Sequence, residues 1–262
     1  MRYRAERVRC LAVLAVSFLV LATPAGAAAA DRYVALGDSF ASGVGTGSYT
    51  LSSSRRRSVY AYPYLVGQQR PDTTLTFACS GARTSDVMAN QIQAVTATTS
   101  IVSITVGGND IGFADLIVQC TLSDCSAALD STRASLPNVL PSRLDTVYGA
   151  IRSQAALGAR VVVVGYPRMF TSVGCFGTFG ISSTERTKAN QLADALDGVI
   201  AARAAAFGLT YKSAIAPFST HAVCSSGSWL NGLNLLNTAE SYHPNRSGQS
   251  LGYTPLVRAV VG

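Results

Sequence analysis

Three residues of this chain have the types and surroundings needed to attack a carbonyl carbon. Ser39 lies between glycines in "YVALGDSFASG" (residues 33–43), Asn109 follows a glycine pair in "GGND" (107–110), and His243 precedes a proline in "AESYHPNRSG" (239–248). A nucleophilic hydroxyl needs a base to take its proton and donors to hold the negative oxygen that forms on the substrate. His243 is the candidate base, with its backbone restricted to extended geometry by Pro244. The other histidine, His221 in "FSTHAVCSSG", has no acidic or glycine-flanked neighbours and reads as a loop residue. The backbone N–H groups of Ser39 and Gly81 and the side-chain amide of Asn109 are candidate oxyanion donors, each typically worth about 10²–10³ in rate. Nδ1 of the imidazole needs an acceptor that fixes the ring, and two stand just upstream: the Glu240 carboxylate or the main-chain carbonyl of Ser241. A reaction that uses His243 as base is expected to slow as the ring protonates, ordinarily near pH 6.5.

These residues lie at the ends of strand-length apolar runs: "RYVALG" (32–37), "TLTFAC" (74–79), "IVSITVG" (101–107), "RVVVVGY" (160–166) and "LTYKSA" (209–214). Val and Ile fill the middle runs, as in strands buried on both faces. Between the runs lie segments of helical period, clearest over 184–207, where Ala189, Leu192, Ala193, Leu196, Val199, Ile200 and Phe207 recur at three- and four-residue spacing. Ser182 with Glu185 forms a capping box, and Gly208 is placed to end that helix. The alternation predicts one α/β domain over residues 31–262, a parallel sheet with helices on both faces. Ligands of such sheets bind beyond the carboxyl ends of the strands, where Ser39, Gly81 and Asn109 sit. No repeat or linker divides the domain; the 42–58 stretch is a long loop.

Residues 1–30 read as a secretory signal: Arg2, Arg4, Arg7 and Arg9, an apolar run from Leu11 to Ala22, then Pro24 and "AGAAAA". The run is too short to span a bilayer comfortably. Removal of this segment leaves 17 basic against 13 acidic side chains, a net charge of +4, in an extracellular and oxidising setting. Arg55, Arg56 and Arg57 form the one dense basic cluster and, with few aromatics nearby, read as a solvated loop rather than a nucleic-acid footprint. Transient contact with an anionic lipid surface is compatible with it. Among the exported cysteines the expected pairs are Cys120 with Cys125 and Cys175 with Cys224. Two histidines and no CxxC pair give no metal set, and no cofactor is expected. "GVGTG" (43–47) lacks the third glycine at the spacing of a dinucleotide fingerprint, and G-x-S-x-G fails at Ala41. Phe40, Phe113, Tyr166, Phe170 and Phe176 are candidates for an apolar groove or for core.

The blocks "GDSF", "SGART", "GGND" and "SYHP", in this order, resemble those of the SGNH, or GDSL, hydrolases, and most of all the secreted actinomycete esterases and lipases. The resemblance implies a flavodoxin-like, three-layer α/β/α sandwich whose five-stranded parallel sheet has the order 2-1-3-4-5. By position it assigns Ser39 as nucleophile, His243 as base, and Gly81 and Asn109 with the Ser39 N–H as oxyanion hole. Glu240 stands where some relatives place an Asp, while close relatives use a main-chain carbonyl. The implied activity is hydrolysis of carboxylic esters with acyl chains, glycerolipids included, through an acyl-enzyme, by a secreted monomer whose partner is an acyl-ester or lipid substrate. Relatives usually carry a third disulfide from a cysteine before "YAYPYL" to the one before "SGA"; residues 52–57 here read "SSSRRR", which leaves Cys79 as an expected free thiol. The alternatives are a carbohydrate O-deacetylase, for which only Trp229 is present as a stacking indole, and a catalytically silent binding protein on the same fold.

Overall fold

In the computed structural model, which describes residues 32–70 and 73–262, five parallel strands lie side by side. The signal expected over 1–30, with Cys10, falls outside the described residues. The strands are β1 (Arg32–Gly37), β2 (Thr73–Thr76), β3 (Thr99–Thr105), β4 (Arg160–Val164) and β5 (Thr210–Lys212), in the order β2-β1-β3-β4-β5. β3 and the valine run of β4 are buried almost throughout, because both faces of the sheet are covered by helices. β1 pairs with β2 on one side and β3 on the other, so the loops that follow these three strands are neighbours.

The helices are α1 (Ser39–Ser42), α2 (Tyr62–Gly67), α3 (Thr84–Asn90), α4 (Phe113–Cys120), α5 (Ser126–Gln154), α6 (Ser183–Ala206), α7 (Ile215–Phe218) and α8 (Thr254–Val261). α3, α5 and α6 pack together on one face; α2 and α8 cover the other. α5 buries Leu136, Leu140, Leu144, Tyr148 and Ile151, largely at i, i+4 spacing, while Pro137 faces solvent. The capping box of α6 forms as its sequence predicts, with the Ser182 hydroxyl accepting from the Glu185 N–H. Glu185 also accepts from the Cys125 N–H at 2.8 Å, which joins the starts of α5 and α6.

The third strand stops two residues before the sequence pattern suggests, since Gly107 turns the chain with φ 120°. The fifth stops at Lys212 because the Ser213 hydroxyl accepts from the Ile215 N–H and starts α7. Cys120–Cys125 and Cys175–Cys224 are disulfide-bonded, and Cys79 is unpaired and half-buried. The Arg55–Arg57 cluster is not simply solvated. Arg57 folds back so that Nε donates to the Ala78 carbonyl and Nη2 to that of Phe77, both at 2.7 Å. The guanidinium thus ties the long loop to the chain leaving β2, in the region where the resemblance implies a disulfide. Arg56 lies over the Tyr49 ring, 5.7 Å from its centroid.

Candidate active site

Ser39 is the first residue of α1, directly after β1. The turn is tight because Gly37, with φ 127°, lies against β3: a Cβ there would stand 2.3 Å from the Thr105 carbonyl oxygen. Gln91 fixes the same residue from the other side, accepting from the Gly37 N–H at 2.8 Å and donating to the Gly37 carbonyl at 2.9 Å. Asp38 caps α1 by accepting from the Phe40 N–H at 3.0 Å, and its second oxygen accepts from the Tyr166 hydroxyl at 2.5 Å. Tyr166 in turn accepts from the Gly108 N–H at 3.1 Å, so one buried hydroxyl joins the loop of Ser39 to the loop of Asn109. Burial raises the Asp38 pKa to about 7, against the lowering effect of the Tyr166 and Phe40 donors. Gln249, in the π-helical turn Gly248–Tyr253, donates to the Phe40 carbonyl and holds α1 from below.

His243 reaches Ser39 from the far end of the chain. Its Nε2 lies 2.8 Å from the Ser39 hydroxyl oxygen and its Nδ1 2.9 Å from the Ser241 carbonyl. A carbonyl can only accept, so Nδ1 carries the proton and Nε2 is left as an acceptor for the serine proton. Glu240, the alternative orienting group, instead accepts from the Tyr49 hydroxyl at 2.5 Å. Gly45, of the rejected "GVGTG" stretch, is what lets the 42–58 loop pack here: a Cβ there would stand 2.9 Å from His243 Cβ and 2.6 Å from the Pro244 carbonyl oxygen. Burial lowers the His243 pKa from 6.5 to about 4; the Ser241 carbonyl opposes this and the nearby Arg56 charge adds to it. The ring is therefore neutral, and able to accept a proton, well below the pH expected of an ordinary histidine.

Ser39, Gly81, Asn109 and His243 all line one pocket of about 190 Å³. Gly81 is exposed, with φ 79°, and the Asn109 amide is steadied by donating to the Ala82 carbonyl at 3.0 Å. Asp110 does not cap the turn that follows it. It accepts from the N–H and hydroxyl of Thr84 and so fastens α3 to the Asn109 loop. Of the candidate groove aromatics, Phe40 and Phe113 line the pocket, while Tyr166 serves the Asp38 network, Phe170 packs edge-on against Tyr242, and Phe176 is exposed. Ile117, Val118 and Met169 supply the apolar wall instead. His221 is a loop residue, stacked on Trp229 at 3.8 Å. Tyr49, Gln91 and Gln249 were not legible as site residues, and Tyr166 was legible only as a groove or core aromatic, not as a partner of Asp38. Each acts through a partner 50 or more positions away, and no local pattern marks such a contact.

The sequence profile of the GDSL-like Lipase/Acylhydrolase family matches residues 35–251. The chain is 47% identical over 237 residues to Lipase 1 of Streptomyces coelicolor, covering 88% of this chain and 87% of that protein. It is similar to the crystal structure of an extracellular lipase from Streptomyces rimosus, with a TM-score of 0.83 and 43% identity over 88% of this chain and 100% of the other. It is likewise similar to the crystal structure of phospholipase A1 from Streptomyces albidoflavus, with a TM-score of 0.84 and 43% identity over the same shares.

Proposed function

The chain belongs to the GDSL-like lipase/acylhydrolase family and is a carboxylic ester hydrolase, and we propose that it works through a Ser39 acyl-enzyme with His243 as base. The observation that carries this reading is the Ser39–His243–Ser241 chain of contacts at 2.8 and 2.9 Å inside a pocket that Gly81 and Asn109 share. The neutral imidazole takes the hydroxyl proton as Ser39 attacks the ester carbonyl, and the Ser241 carbonyl holds the tautomer. The Ser39 and Gly81 N–H groups and the Asn109 amide receive the oxyanion. His243 returns the proton to the departing alcohol; water, activated by the same ring, then releases the acid. A carbonyl orients the ring with less electrostatic help than a carboxylate gives, which suits a histidine that must stay neutral in a buried site.

The substrate is an ester with an acyl chain, placed along the wall of Phe113, Ile117, Val118 and Met169. The two similar structures named above, one a lipase and one a phospholipase, support an acyl-lipid substrate. Trp229, the stacking residue a carbohydrate deacetylase would want, is engaged with His221 outside the pocket. The enzyme acts outside the cell after loss of residues 1–30, over a single domain spanning 31–262. Hydrolysis of soluble p-nitrophenyl esters tests the reading. Wild type is expected to turn over butyrate esters, and Ser39→Ala and His243→Ala to lose at least about 10³-fold in kcat/KM. Retention of most of the rate by either variant overturns it.

A further inference from the structure

The pocket opens among three segments that hold large apolar side chains in water. Val118, near the end of α4, lines the pocket and is itself partly exposed; Leu122 follows it one turn on. The 173–180 loop carries Val173, Phe176 and Phe179, and the 231–239 loop carries Leu235 and Leu236 just before Thr238 and Ala239 reach the pocket wall. Seven of the ten exposed large apolar side chains among the described residues fall on these two loops and on the end of α4 with the turn that follows it.

The loops touch one another. Gly180 lies so close to Thr121 that a Cβ on it would stand 2.4 Å from the Thr121 carbonyl oxygen. The Leu233 N–H donates to the Gly177 carbonyl at 2.9 Å, and the Phe176 and Phe179 rings are 6.4 Å apart. The Cys175–Cys224 disulfide anchors the middle loop. Neither 173–181 nor 231–239 contains a charged side chain, Cys175 being held in the disulfide. Charge enters the rim only on the α4 side, where Asp115 and Asp124 are exposed; the uncharged apolar surface of the other two loops marks a contact with another apolar phase.

We propose that this rim docks the protein on the surface of an aggregated neutral or zwitterionic lipid, with the pocket mouth turned toward the acyl chains. The proposal rests on the ester-hydrolase reading. A lipid layer is favoured over a second copy of the chain because the rim is continuous with the opening above Ser39: a protein seated there would close it, whereas lipid delivers substrate through it. The absence of charge on the two loops sets the chemistry, since attachment by insertion of apolar side chains needs no anionic headgroup.

Partition of the Ser39→Ala protein, which cannot consume the lipid, onto phosphatidylcholine vesicles tests this by co-sedimentation. Phe176→Ser with Phe179→Ser, Leu235→Ser with Leu236→Ser, and the fourfold combination are compared, the pairs standing in should the combination fail to fold. The fourfold variant is expected to bind at least about tenfold more weakly and each pair severalfold more weakly. Raising NaCl from about 50 to 500 mM is expected to change binding by less than about threefold, because exposed charges play no part. In the Ser39 background the same substitutions are expected to leave hydrolysis of a soluble acetate ester within about twofold, since none of the four side chains lines the pocket. Unchanged vesicle binding by the variants overturns the proposal. So does binding that salt abolishes, or a wild type that is dimeric in sedimentation velocity while the fourfold variant is a monomer. If wild type fails to cleave the soluble ester yet vesicle binding still depends on the rim, the catalytic reading fails and the docking surface stands.

Discussion

His243 and Asp38 are buried titratable groups beside the same serine, one 2.8 Å from its hydroxyl in space and the other next to it in the chain, and burial moves their pKa values in opposite directions. A neutral form is favoured for both, so the histidine pKa falls to about 4 and the aspartate pKa rises to about 7. Since the base acts only when unprotonated, kcat/KM is expected to lose activity with a midpoint near pH 4, not near 6.5. A pH profile with a soluble ester checks this. Any step near pH 7 belongs to Asp38 and is expected to vanish in Asp38→Asn while the limb near 4 stays. Tyr166 positions the site without touching substrate. Tyr166→Phe strips a donor from the Asp38 carboxylate and an acceptor from the Gly108 N–H, a loss of about 1–3 kcal/mol in stability. The same change is expected to move the Asp38 step to higher pH, because the lost hydroxyl favoured the charged form; a packing defect alone has no reason to move it. Asn109→Ala is expected to cost about 10²–10³ in kcat with folding intact.

Among the elements, α4 and the chain around it set how much of a substrate fits. Val118 stands at the pocket wall and in solvent at once, so Val118→Trp narrows the mouth without disturbing the core. The ratio of kcat/KM for octanoate over acetate esters is expected to fall about tenfold, the scale on which pockets discriminate by size. At α6 the effect is on stability alone. Ser182→Ala removes the cap and is expected to cost about 1 kcal/mol in denaturant unfolding with kcat/KM unchanged. The capping box, the valine strand and the glycines that end β1 and β3 were readable because each is a local pattern with one physical meaning. α5 was harder to see: Pro137 and Pro141 interrupt its sequence, and only the inward spacing of its leucines, packed against α6, marks it as one helix. The role of Gly45 was hidden for a different reason. Its lack of a side chain matters only because His243, almost 200 residues later, occupies the space.

Across the whole molecule, the sheet order puts β1 between β2 and β3, and this alone brings Ser39, Gly81 and Asn109 to one edge. The order came from resemblance to a family, whereas the parallel sheet itself followed from strand and helix alternation. The aromatic groove was the least legible feature. Type marks a side chain as apolar, but the direction in which the backbone aims it decides between core, pocket and rim, and Tyr166, Phe113 and Phe176 fell one to each. The claim on which the rest depends is that Ser39, activated by His243, forms the covalent intermediate. Reaction of the protein with a fluorophosphonate, followed by peptide mass mapping, tests it most directly. One adduct is expected, on the peptide that carries Ser39, formed far more slowly in His243→Ala and absent in Ser39→Ala. An adduct on any other serine, or none on active enzyme at neutral pH, contradicts it.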